Sequence, residues 1–294
     1  MDKFVSTVMS QEVPPGRPGR ERKGREQVTK SRVFWLCQGV VIAAWIASLH
    51  GLGQTDKVAP PYSPPKTPFG QPDLQGIWQV VNTAAWDIQD HSAQRFPGLP
   101  ARFSVPAGLG VVEGNDIPYQ PWAIAQKQKN FANRLEGDPE ASCYLPGVPR
   151  ITYMPYPFQI FQLPDRVVIL YEYLHTTREI FTDGSSHPDI PVEFWMGDSR
   201  GRWEGNSLVV DVTLFTGQTW FDRAGNFHSH DLHVVERYTR TGPDHLLYEV
   251  TIEDPKVFTR PWKMQMPIYR RQEPNRQLLE FECYAYARED AALN

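Results

Sequence analysis

From Pro157 onward, apolar and polar positions alternate in short runs broken by turn residues, the signature of half-buried β-strands. The runs cover 158–163, 166–174, 177–182, 192–196, 207–215, 218–221, 232–240, 245–252 and 277–284. Tight connectors such as Pro164-Asp165, Glu204-Gly205-Asn206 and Thr241-Gly242-Pro243-Asp244 separate them. Connections that short join antiparallel neighbours, because a parallel return needs a long crossover. A meander of this length has to hide its edges by closing or stacking. The pattern therefore predicts a mainly β fold, a single antiparallel meander closed into a calycin-like β-barrel, with a β-sandwich as the alternative.

Upstream, the segment PDLQGIWQV (72–80) reads as a turn leading into a first strand. Residues 97–121 are loop-like, with repeated Pro and Gly. Pro121 opens the one convincing helix, which runs to Leu135 with Trp122, Ala125, Phe131, Ala132 and Leu135 at helical spacing.

The N-terminal region is of another kind. Residues 1–32 carry eight basic side chains against four acidic ones and show no apolar periodicity, so they read as a disordered basic head. The uncharged stretch 33–53 contains a 17-residue apolar run, VFWLCQGVVIAAWIASL, followed by small and polar residues. A basic flank, an apolar core and a small-residue exit make a signal peptide, and the run is also just long enough for a membrane anchor. Residues 54–70 form a Pro-rich spacer, and 71–294 read as a single β-rich domain. The head's +4 leaves −8 on the remainder of a chain whose total is −4. That body repels a phosphate backbone, so nucleic acid is not an expected partner. The expected location is the periplasm or beyond, or the inner membrane facing the periplasm if the apolar run is kept. The membrane is then touched only through that run.

With Cys37 inside the apolar run, Cys143 and Cys283 are the whole thiol inventory of the mature body. In an oxidising compartment they either close one long-range disulfide or remain two buried thiols.

Candidate chemistry concentrates in FHSHDLHVVER (227–237). In extended chain His228 and His230 point to one side, about 6.6 Å apart, a spacing at which two imidazoles can share a divalent metal ion. Glu236 keeps their parity, while His233 and Asp231 have the other. Without a metal, His228 or His230 serves as a general base, oriented by Asp211 or Glu236, with Arg178 or Arg237 holding an anionic group. Asp211 stands out because it interrupts the apolar run SLVVDV (207–212) and must be paired or solvated. Tyr171 and Tyr173 share a face with Val167 and Ile169, and on an inward face they would line a ligand cavity with His233 near its rim. Arg150 and Trp262 are weaker candidates for the same cavity. There is no G-x-S-x-G elbow, phosphate-binding glycine loop, dinucleotide fingerprint, C-x-x-C pair or H-E-x-x-H motif.

The segments PDLQGIW (72–78), GVPR (147–150), GRWEGNSLVVDV (201–212), HSHDLHVVER (228–237) and YEVTIEDPKVFTRPW (248–262) resemble a large group of exported bacterial proteins without an established activity. The resemblance runs from about residue 72 to Cys283. It implies export and a single domain, and it assigns no catalytic residue. The leading expectation is an exported barrel that binds a small, partly apolar organic molecule. A lyase, isomerase or hydrolase using the His/Asp/Glu set at the barrel mouth is the second, and an accessory subunit of an envelope complex the third.

Overall fold

Burial alternates residue by residue along β7 (His233–Gly242) and β8 (His245–Glu253), so every second side chain of these strands enters the core. The same period shapes β2 (Phe158–Gln162), β3 (Arg166–Tyr171), β4 (Thr177–Phe181) and β9 (Trp262–Arg270). With β1 (Gly76–Val80), β5 (Asp198–Glu204) and β6 (Ser207–Thr213), these strands close a nine-stranded barrel in simple sequence order. The computed structural model describes residues 62–95 and 104–285. The expectations for the basic head, the apolar run and the start of the spacer lie outside them. Residues 62–70, the described part of the spacer, make a turn on which Pro64 and Thr67 are buried. No helix among the described residues is long and apolar enough to cross a membrane.

Neighbouring strands pair antiparallel, the seam between β1 and β9 included. The exception is β4 beside β5, which meet in parallel at Phe181 and Arg200. The segment 182–197 is long enough to carry the chain back along the barrel, which a hairpin turn is not. Three stretches expected as strands make only single bridges: Phe194 to Phe215, Trp220 to Phe227, and Phe281 to Tyr173. Strands β5 and β9 stand in their place.

The helical stretch is divided at Asn133 into α1 (Pro121–Ala132) and α2 (Arg134–Gly137). Its buried face is also displaced from the expected one. Ala123 and Asn130 are buried, whereas Trp122 and Leu135 are exposed. The reason is polar docking: Asn130 donates to the carbonyl of Gly225 at 3.2 Å. A Cβ on Gly225, whose φ is +85°, would come within 2.7 Å of the Phe131 nitrogen. Only glycine allows so close an approach.

One end of the barrel is elaborate. There β1 stops, β2 starts and β3 stops, and the chain adds α1, α2, α3 (Arg150–Tyr153), the loop 214–232 and the loop 254–261. The C-terminal segment after β9 returns to this end, where Cys283 is disulfide-bonded to Cys143. Inside the barrel, Phe158, Tyr171, Tyr238 and Tyr248 are each at most 3% exposed and occupy the centre. Their rings pack directly, Phe158 on Tyr171 at 5.5 Å and Tyr238 on Tyr248 at 4.8 Å.

Candidate functional site

The residues singled out from the sequence do not meet in one place. Glu236 faces the barrel interior, because β7 directs Val234, Glu236 and Tyr238 inward. Its Oε1 accepts from Arg178 Nη1 at 3.1 Å, the Tyr238 hydroxyl at 3.1 Å and the Tyr248 hydroxyl at 2.6 Å. Its Oε2 accepts from Arg178 Nη2. Ser199 Oγ accepts two more bonds from the same guanidinium. Arg178 does hold an anionic group, but that group is Glu236. Burial opposes the charged guanidinium, and the Glu236 carboxylate outweighs it, raising the Arg178 pKa well above its ordinary value. Tyr171 is buried beside this pair.

Asp211 and His233 lie on the outer wall. Asp211 accepts from His233 Nε2 at 2.9 Å and from His187 Nε2 at 2.8 Å. His187 Nδ1 in turn meets Asp198 at 2.6 Å, and His233 Nδ1 meets Glu253 at 3.4 Å. The result is a partly exposed row of alternating imidazoles and carboxylates across β5 to β8. Partial burial works against ionised Asp211, but the bonds from His233 and His187 win and lower its pKa. Burial likewise opposes the His233 cation, and Asp211 followed by Glu253 raises its pKa above the ordinary value. Arg237, also outward, pairs with exposed Glu204. With Glu236 on one face of the wall and Asp211 and His233 on the other, the expected acid–base set does not meet at one point.

His228 and His230 precede β7 in irregular chain, so the extended-strand parity between them does not hold. His228 is 3% exposed, with Nε2 at 2.7 Å from Thr219 Oγ1 and Nδ1 at 2.8 Å from the carbonyl of Ser229. Burial pushes its pKa down to about 4. His230 lies at the surface against Lys256 and Asp231. Among the described residues no group of three or more His, Cys, Asp or Glu side chains is arranged to hold a metal ion.

A concave site does exist at the elaborate end, outside the barrel. It is a cleft of about 640 Å³, and its walls include Trp86, Leu135, Met154, Tyr156 and Phe281. The Cys143–Cys283 disulfide forms part of its lining. Phe281 packs on Tyr156 at 4.4 Å and on Tyr173 at 5.2 Å, which fixes the C-terminal segment as one wall. Leu279 N donates to Glu172 Oε2 at 2.8 Å and secures the same wall.

The polar floor of the cleft is a network invisible as a sequence motif. Asp138 receives Arg150 in a fork, at 2.9 and 2.8 Å, with both side chains 1% exposed. Glu140 receives Arg223 through Nε at 3.0 Å and Nη2 at 3.1 Å, and the Tyr173 hydroxyl at 3.1 Å. Burial disfavours the Glu140 carboxylate, but Arg223 and Arg150 outweigh it and lower its pKa. Asp138 also caps its own turn by accepting from Glu140 N, which sets the two acids side by side. Tyr173 and Arg150 are therefore the expected cavity residues that touch this floor. Asp138, Glu140 and Arg223 carried no signal in the sequence.

Behind the floor, Asp222 is fully buried and accepts from the nitrogens of Ile88 and Asn226. Burial, reinforced by the charge of Asp87, pushes its pKa up to about 7. An unfolded aspartate ionises near 3.8, so between these values the native state binds the extra proton and stability falls as pH rises. His228 acts oppositely: its contribution is complete above about pH 6.5 and is lost as pH falls through about 4. Above about pH 6.5 only the decline remains, joined by His233, whose raised pKa loses its contribution as pH rises. Urea unfolding should therefore show stability decreasing from about pH 6.5 until Asp222 is ionised in the native state, within about one pH unit above 7, and then levelling. Asp222→Asn should remove the part of that decline centred near pH 7, and His233→Gln should reduce the decline separately. A slope unchanged in Asp222→Asn would refute the assignment.

Compared with protein-family models, with curated proteins and with solved structures, the chain has no significant match in any of the three.

Proposed function

We propose that the chain is an exported β-barrel protein that binds a small, partly apolar organic molecule, and that the molecule sits in the cleft at the elaborate end. One observation carries this reading: a cavity of about 640 Å³ with aromatic and aliphatic walls over an ordered polar floor. Small-molecule sites occupy roughly 300–1,000 Å³ and combine apolar walls with a few fixed polar groups. The barrel centre, where Tyr171 and its neighbours pack against one another, is not the place assigned to the ligand. The long-range disulfide supports export, since such bonds persist in oxidising compartments. The signal-like segment 33–53 supports it from the sequence.

The fluorescent probe 8-anilinonaphthalene-1-sulfonate tests the reading directly. The folded protein is expected to enhance its emission saturably. Leu135→Glu, a change at a 42% exposed cleft residue, should weaken the probe roughly fivefold by removing apolar contact and adding charge. A probe that does not saturate, or that binds the variant equally well, would count against the cleft.

A further inference from the structure

The floor of the cleft shows how a ligand would be oriented. A guanidinium has five N–H donors and offers more than one edge at which two parallel bonds can form. Arg223 gives its Nε/Nη2 edge to Glu140, at 3.0 and 3.1 Å. Among the described residues no hydrogen bond uses its Nη1, which leaves the Nη1/Nη2 edge open on a side chain that lines the cleft and is 35% exposed. The Glu140 fork also fixes the plane of the guanidinium, so its second edge is preorganised.

The charges beneath are already matched. Arg150 neutralises Asp138 from within, and Arg223 neutralises Glu140. Glu172 is engaged by Leu279 N and lies 3.9 Å from Arg276. Arg134 and Glu280 also line the cleft, one charge of each sign. An incoming carboxylate therefore meets unused donors at the second edge of Arg223, with the aromatic walls of Trp86, Tyr156 and Phe281 nearby.

We infer that the cleft selects organic carboxylates with an aromatic or other flat apolar body, the carboxylate accepting two parallel bonds from the open edge of Arg223. This rests on the cleft being the ligand site. A planar body suits ring walls, and a fork-to-fork contact with a carboxylate is the strongest use of that edge.

The test compares 2-naphthoate with its neutral counterpart 2-naphthalenemethanol by calorimetry on the whole mature protein. The acid should bind about tenfold or more tightly than the alcohol, as a forked charge-assisted contact implies. In Arg223→Met that preference should collapse, while the alcohol continues to bind and so reports an intact cleft. Equal affinity of acid and alcohol for the unmodified protein overturns the carboxylate assignment and leaves the cleft reading standing. Failure of both compounds overturns it as well, and the anilinonaphthalene probe then decides separately whether the cleft binds anything. If Arg223→Met does not fold, the ratio measured on the unmodified protein is decisive alone.

Discussion

Glu236→Ala is expected to destabilise the protein by about 3–5 kcal/mol, because it strands a charged Arg178 inside the barrel. The side chain removed accepts four hydrogen bonds, from Arg178 Nη1 and Nη2 and from the Tyr238 and Tyr248 hydroxyls. Arg178 is 3% exposed and, among the described residues, keeps neutral partners such as Ser199 Oγ, which cannot compensate a full positive charge. For a domain of this size the melting temperature should fall on the order of 10 °C. The isolated change in Glu236 is worse than losing both partners. Arg178→Met combined with Glu236→Ala should be less destabilised than the sum of the single variants, by about 1 kcal/mol or more in a double-mutant cycle. Strict additivity would mean that the two side chains are not energetically coupled. The pair is an internal clamp between β4 and β7, strands not adjacent in the sheet.

Loss of the Cys143–Cys283 bond should have an effect of similar size. The sequence separation is 140 residues, and a loop of that length corresponds to about 5 kcal/mol in the chain-entropy account. Measured losses typically run about 2–4 kcal/mol, so a fall within 2–5 kcal/mol is expected for Cys143→Ala with Cys283→Ala. The loss also has a location. After β9 the C-terminal segment is secured by the disulfide, the Leu279–Glu172 bond, the Phe281 ring contacts and the exposed His175–Glu282 pair. Exposed ion pairs contribute little, so the disulfide dominates. Limited proteolysis of the double variant should cut between residues 271 and 285 before it touches the barrel strands, and the anilinonaphthalene probe should be lost with that wall. A segment that stays protected without the disulfide would show that Phe281 and Leu279 suffice.

The barrel was legible where alternation was strong and turns were short. VVERYTR and LLYEVTI, in β7 and β8, alternate cleanly and pair in register. Strand β9 was missed because Pro267 lies within it, and proline removes a ladder donor. The position tolerates it because the ladder from β1 reaches only Ile268, Tyr269 and Arg270. Strand β5 is absent from the expected strands because Ser199-Arg200-Gly201-Arg202 has no alternation of apolar and polar residues. Gly201 is instead where Ile180 crowds the wall, since a Cβ there would lie 2.8 Å from that side chain. The candidate site was less legible for a different reason. Parity along one strand correctly placed Glu236 opposite to His233, but it could not say which face was the interior. Asp138, Glu140, Arg223 and Phe281 come from three distant segments, and no local period links them. Asp211 did prove to be a carboxylate held by histidines, on the outer wall and with His187 as its second partner.

The seam between the first and last strands sets the timing of assembly. Trp78 pairs with Arg270 and Val80 with Ile268, so a growing chain has no closed cylinder until β9 has been made. Until then β1 and β8 both present raw edges, and such edges recruit foreign strands. Contacts between chain ends also slow the search for the native state. A chain of this topology should therefore refold slowly, and chains interrupted before residue 270 should aggregate when light scattering is followed against the full-length protein.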